Sequence, residues 1–158
     1  MDSLTGKFRI TLDDKGRINL PSRLRNALTG TTLILTQGAD DCVWIYPPEE
    51  WERVRRSIME MTSPFSSKSR SVRRRIIGPA QDMELDKAGR LPIPQSLREF
   101  AGLTKECLVI GLYDYIEVWN CDRYQAYLNA TEEDFNAGSE ELAMMLREKR
   151  DFLNKDGF

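Results

Sequence analysis

The sequence predicts an α+β fold built from two copies of one small β-turn-β-α-β-β unit, flanked by helices. Three observations predict it. LDDKGR at 12–17 returns as LDKAGR at 85–90, 73 positions further on. Each copy is bracketed by short stretches with apolar residues at alternate positions, the period of a strand with one buried face. Each copy then runs into a proline followed by leucines at helical spacing. The offset extends well past the hexapeptide. Seven of 14 positions coincide between 12–25 and 85–98, and 11 of 41 between 12–52 and 85–125, with no gap. Leu35 falls on Leu108, Gly38 on Gly111 and Asp41 on Asp114.

A first strand, KFRITL or QDMEL, leads into the turn DDKG or DKAG. There Asp13 or Asp86 can accept from backbone amides two residues on, and Gly16 or Gly89 can take a positive φ. The next strand, RINLP or RLPIP, places Ile18 and Leu20, or Leu91 and Ile93, on one face. Pro21 or Pro94 opens a short helix, ended by Thr29-Gly30 or Gly102. Two strands follow, TLILTQG and CVWIY in the first copy, CLVIGLY and YIEVW in the second. A unit of about 45 residues is near the lower limit for an independent core, so the copies are expected to pair and interleave strands.

PPEEWERVRRSIMEM (47–61) predicts a helix with Trp51, Val54, Ile58 and Met61 inward. SPFSSKS (63–69) is a loop and SVRRRIIG (71–78) a short helix. CDRYQAYLNA is the second copy's counterpart of the first long helix. SEELAMMLREKRDFL (139–153) is an amphipathic helix, and NKDGF frays. The chain thus divides into a first unit with its helix (1–61), a linker with a short basic helix (62–80), a second unit (81–130) and a C-terminal helix and tail (131–158).

Composition narrows the chemistry. The 158 residues are 41% hydrophobic and 30% charged, with no histidine. Ser-His-Asp and Cys-His catalysis are therefore excluded, and the commonest metal ligand is missing. Cys42, Cys107 and Cys121 lack a CxxC spacing and read as small buried thiols. A hydrolase using Asp13 and Asp86 as a carboxylate pair is disfavoured. Each acid has basic neighbours that lower its pKa, and the signature of that class is absent. The expectation is a protein that is not an enzyme, has no catalytic residue, and takes no metal and no cofactor. No apolar run approaches the roughly 20 residues that span a bilayer, and the N-terminus lacks an apolar signal core, so a cytoplasmic place and no membrane partner are expected.

Net charge is −2, but residues 1–100 hold 17 Lys+Arg against 13 Asp+Glu, while 101–158 hold 6 against 12. A chain acidic overall can still present a cationic face to a polyanion. Lys15 and Arg17, and Lys87 and Arg90, lie at or just after the two turns, where a two-stranded ribbon is narrow enough for the DNA major groove. For Arg17 and Arg90, DNA contact is favoured over a mere latch to the neighbouring acid. For Asp13 and Asp86, turn formation and arginine orientation are favoured over DNA contact. Arg23, Arg25 and Arg98 on the short helices either touch phosphates or lie across the protein surface. KSRSVRRR (68–75), with five cations and no acid, reads as a solvated or interface segment that can also add phosphate contacts. Trp44, Tyr46, Trp51 and Trp119 read as core.

LDDKGRINLPSRLR and LDKAGRLPIPQSLREFAGL resemble the AbrB-like swapped-hairpin family of DNA-binding modules. Two copies in one chain resemble the MraZ family of bacterial transcriptional regulators. The resemblance implies a swapped-hairpin β-barrel formed by both halves, and self-assembly into rings. It also implies binding of double-stranded DNA through Asp13 to Arg17 and Asp86 to Arg90. The boxes bound would be repeated promoter sequences of the cell-division and cell-wall gene cluster, with the protein on the nucleoid. An AbrB-like antitoxin and a structural ring without DNA remain as alternatives.

Overall fold

The computed structural model describes residues 3–155. It forms two compact units, one ending at Cys121 and one beginning at Asp122.

The first unit is mixed α+β. Its strands are β1 (Leu4–Thr11), β2 (Arg17–Asn19), β3 (Thr32–Gln37), β4 (Val43–Tyr46), β5 (Gln81–Glu84), β6 (Arg90–Pro92), β7 (Glu106–Tyr113) and β8 (Ile116–Asn120). Its helices are α1 (Ser22–Ala27), α2 (Pro48–Met61), α3 (Ser67–Val72), which continues into a wide π-type turn over Arg73–Ile77, and α4 (Gln95–Ala101). Helix α5 (Cys121–Ala130) starts at the unit's last residue. The second unit holds the rest of α5 and helix α6 (Glu132–Lys155). Of the expected fraying NKDGF tail, Asn154 and Lys155 are helical, and 156–158 lie outside the described residues.

Six strands make one antiparallel sheet in the order β1-β7-β8-β4-β3-β5, and β2 and β6 form a separate two-stranded ribbon. The copies exchange strands. β1 of the first copy pairs with β7 of the second, β5 of the second with β3 of the first, and β2 with β6. The closed barrel expected above is not formed by hydrogen bonding among the described residues. β1 and β5 are the two edges of an open sheet, and only a single bridge, Leu12 to Ile18, joins β1 to the ribbon.

One core serves both copies. Leu20, Leu24, Leu33, Leu35, Val43 and Ile45 from the first meet Ile93, Leu97, Cys107, Val109, Ile116 and Val118 from the second. Ile18 pairs with Leu91 at the centre of the ribbon, both with no solvent exposure. The two residues are repeat mates, so the pseudo-twofold axis passes between them.

The gapless 73-residue offset requires correction between the short helices and β8. Leu35 pairs with Ile45, but in the second copy Val109, not Leu108, pairs with Val118. The strand offset is 74 there. Helix α4 is one residue longer than α1, and the β7–β8 turn takes the residue back with Tyr113 at φ 78. A strand slipped by one residue would turn its apolar face to solvent, so the register must be recovered. The cost is a bulky side chain in the left-handed region, about 1–2 kcal/mol.

Outside the core, α2 lays Trp51, Val54 and Ile58 on Ile34 and Tyr46 of the sheet's other face. Met61, expected inward, is 86% exposed, because the chain leaves the helix there. Tyr46, Trp51 and Trp119 are buried and Trp44 is half-buried. Cys42 and Cys107 are buried, the latter with its thiol pushed up to about 11 by burial, while Cys121 is half-exposed.

Candidate nucleic-acid interface

The two turns are near copies of each other. The Asp13 backbone N–H donates to Arg17 O at 2.9 Å, and Gly16 N–H to Asp13 O at 3.0 Å. Asp13 Oδ1 accepts from the Lys15 and Arg17 amides, each at 2.9 Å, and Oδ2 from Arg17 Nε at 2.8 Å. In the second turn, Asp86 Oδ1 accepts from the Ala88 and Arg90 amides at 2.9 Å, and Oδ2 from Arg90 Nε at 2.7 Å. Gly16 and Gly89 complete the turns at φ 75 and φ 78. These contacts hold both carboxyls below the ordinary aspartate range, chiefly through the Arg17 amide for Asp13 and the Arg90 amide for Asp86. Each acid is ionised and tied to its own arginine, so the pair shares no proton.

Antiparallel pairing sets Arg17 opposite Pro92 and Asn19 opposite Arg90. Paired residues share a face of a ribbon, and Ile18 and Leu91 take the buried face. Arg17 and Arg90 therefore stand on the outward face, about 7 Å apart along it. Their side chains are 23% and 40% exposed. Among the described residues, Nε is the only guanidinium atom of either arginine with a hydrogen-bond partner, which leaves both Nη groups of each without one. Lys15 and Lys87 are exposed at the tips.

The helix arginines occupy a different place. Arg25 Nε donates to Leu20 O at 2.8 Å and Arg98 Nε to Ile93 O at 2.9 Å. Each guanidinium lies under the turn of the other copy. A Cβ on Gly16 would fall 2.7 Å from Arg98 Cζ, and one on Gly89 would fall 2.7 Å from Arg25 Cζ. Arg23 is exposed, and its Nη2 donates to Thr5 Oγ1 at 3.1 Å. The basic run is largely engaged within the fold. Arg73 donates to Thr62 Oγ1 and Thr62 O at the end of α2, Arg70 to Pro64 O, and Arg75 to Gly38 O while lying 4.9 Å over the Phe100 ring. Lys68 and Arg74 are the exposed members.

Sequence reasoning missed Lys105. Leu12 N–H donates to its carbonyl at 2.8 Å, and it lines a shallow cleft with Asp13 and Asp14 beside the first turn. Only the strand exchange brings it there, and nothing local in the sequence signals it. Among the described residues, no cluster of His, Cys, Asp or Glu could hold a metal, and no helix is long and apolar enough to cross a membrane.

The fold and these turns define a duplicated, strand-exchanged protein that presents paired arginines on a narrow ribbon. Residues 4–74 and 76–146 match the family model described as "MraZ protein, putative antitoxin-like". The chain is 48% identical to "Transcriptional regulator MraZ" of Treponema pallidum over 141 residues, 89% of this chain and 95% of that one. It is 44% identical to the protein of that name in Treponema denticola (88% and 96% covered), and 42% identical to the one in Saccharopolyspora erythraea (87% and 94%). The chain belongs to the MraZ family.

Proposed function

We propose that the chain is a transcriptional regulator, not an enzyme, that grips double-stranded DNA with the β2–β6 ribbon and its two flanking turns. The relatives named above carry the name of a regulator. The observation that carries the reading is the placement of Arg17 and Arg90 on one outward face, each aimed by its own aspartate. A planar guanidinium with both Nη groups free suits bidentate contact with guanine O6 and N7 or with a phosphate. Lys15 and Lys87 add phosphate contacts. Arg23 supplies a further one, while Arg25 and Arg98 position the turns. The division into two AbrB-like swapped-hairpin units, a linker and a C-terminal helix is part of this reading. So are a ring of copies, repeated promoter boxes of the cell-division and cell-wall cluster, and a place on the nucleoid. A ring multiplies modest contacts through effective concentration, and favours direct repeats about 10 base pairs apart.

The test is a titration of fluorescent promoter DNA from the protein's own operon at several salt concentrations. Log affinity should fall with log salt, and Arg17→Ala or Arg90→Ala should lower the slope by about 1 each where the contact is to phosphate, or cost about 1–3 kcal/mol at one base pair where it is to a base edge. Unchanged affinity in the Arg17→Ala/Arg90→Ala double variant removes the ribbon as the DNA-binding surface. Absence of DNA binding by the intact chain favours the antitoxin or structural-ring alternatives.

A further inference from the structure

Helix α6 is exposed at every residue from Glu132 to Lys155. Yet its apolar residues are not scattered. Six of its seven large apolar residues, Phe135, Leu142, Met145, Leu146, Phe152 and Leu153, follow 3-, 4- and 7-residue spacings and are 53–74% exposed, so they form one stripe along a helix about 36 Å long, with Met144 at its side. A solvent-exposed stripe of this length needs a partner.

Three features identify that partner as a second α6 running the opposite way. The first is charge. Residues 132–141 carry Glu132, Glu133, Asp134, Glu140 and Glu141 and no base, whereas 147–155 carry Arg147, Lys149, Arg150 and Lys155 against Glu148 and Asp151. Parallel helices would lay acid on acid, and antiparallel helices lay acid along base. Glu140, Glu141, Lys149 and Arg150 also have no opposite charge three or four residues away in their own helix. The second is shape. Gly138 lies inside the helix, where glycine weakens it, and a Cβ there would meet nothing within 4 Å. With Ser139 it makes a shallow place in the stripe, 14 residues before the bulky Phe152–Leu153 pair. The third is Lys149, the one charge within the stripe. Pairing about a point between Met145 and Leu146 puts Phe152 on Ser139, Leu153 on Gly138, and Lys149 opposite Leu142 and beside Glu141 of the other helix.

We propose that α6 is a self-association surface through which two copies of the chain pair, antiparallel, about a twofold axis between Met145 and Leu146. The pairing is independent of the DNA-binding reading. In a ring of copies it would join one ring to another.

Crosslinking of the full chain tests it, in a Cys121→Ser background because Cys42 and Cys107 are buried. Residues 142 and 149 are about 10.5 Å apart along one helix, too far for an internal bridge, but face each other across the proposed pair. Leu142→Cys with Lys149→Cys should give a disulfide-linked dimer, and Leu142→Cys alone should not. A dimer from Leu142→Cys alone would mean parallel pairing, and no dimer from the double variant would mean no pairing in this register. Either result overturns the proposal. In sedimentation, Leu146→Glu should weaken association at least tenfold with unchanged helix content. Lys149→Glu should weaken it, and adding Glu141→Lys should restore it. Association unaffected by Leu146→Glu rejects α6 as the surface.

Discussion

Gly16→Ala should destabilise the protein by about 2–5 kcal/mol, and by much less once Arg98 is removed. Two costs combine. At φ 75 an alanine is held in the left-handed region, which costs about 1–2 kcal/mol. Its Cβ would also lie 2.7 Å from Arg98 Cζ and 2.9 Å from Nε and Nη1. The guanidinium must move, and with it goes the 2.9 Å bond from Nε to Ile93 O, worth about 1.5–3 kcal/mol for a charged donor. The backbone term is independent of Arg98 and the collision term is not. Urea unfolding followed by tryptophan fluorescence, at one fixed protein concentration, gives both terms from the cycle of wild type, Gly16→Ala, Arg98→Ala and the double variant. The coupling should be at least about 1 kcal/mol. Gly30→Ala is the control, because its Cβ meets nothing within 4 Å. Additivity within about 0.5 kcal/mol would refute the claim that Arg98 of one copy supports the turn of the other.

Leu91→Ala should cost about 2–5 kcal/mol, since Leu91 has no exposure and meets its repeat mate at the axis; the urea midpoint measures it. Thr36→Val should cost about 1–3 kcal/mol, because the buried Thr36 hydroxyl donates to Ile76 O at 2.6 Å and its loss strands that carbonyl; susceptibility of the 73–77 segment to limited proteolysis should rise with it. Asp13 and Asp86 titrate lower in the folded chain than their ordinary value of 3.8. Their contribution is therefore complete above that value and is lost as pH falls through the folded pKa. The urea midpoint should drop on acidification below about pH 4, and Asp13→Asn with Asp86→Asn should flatten that drop.

Much of this was legible in the sequence because local chemistry decides it. Asp at the first turn position and Gly at the fourth leave the backbone little choice, and both turns form as the residues demand. Proline opening α1 and α4 and Gly102 closing α4 at φ 60 act within one turn of chain. The long helices are read from apolar spacing, though α6 begins at Glu132, ahead of the expected Ser139, since nothing in EEDFNAG stops it. Legibility fails where distant residues meet. Leu35 and Leu108 are identical and aligned, yet a one-residue difference in helix length gives the two side chains opposite facings, and Val109 takes the place of Leu35 in the core. Arg25 and Arg98 look like free surface cations until strand exchange places each beneath a glycine of the other copy. The five cations of 68–75 look like one patch, but Arg70 and Arg73 close off carbonyls at the end of α2 and the loop beyond it, and Arg75 closes off Gly38 O between β3 and β4.

The two copies have stayed alike where they touch and diverged where they do not. At the axis a substitution in one copy acts on its mate, so Ile18 and Leu91, the two Asp–Arg turns, and Arg25 and Arg98 keep matching partners. One step outward the constraint lapses. Lys15 stands where the second copy has Ala88, and Lys105, whose carbonyl accepts from Leu12 beside the first turn, corresponds to Thr31, whose carbonyl accepts from Leu85 and whose hydroxyl donates to Glu84 beside the second. Further out, the chain after α2 folds back and buries Ile76 against the sheet, while α6 follows α5 after a single residue with its apolar stripe uncovered. The duplicated part is thus a rigid frame that aims two arginines alike. Substitutions between the copies make the turns electrically unequal, with Asp14 and Lys15 at the first where the second has Lys87 and Ala88, and the unduplicated α6 carries the exposed stripe. On the proposed reading, a frame that aims two arginines alike while its edges differ suits a DNA site whose two halves are unequal.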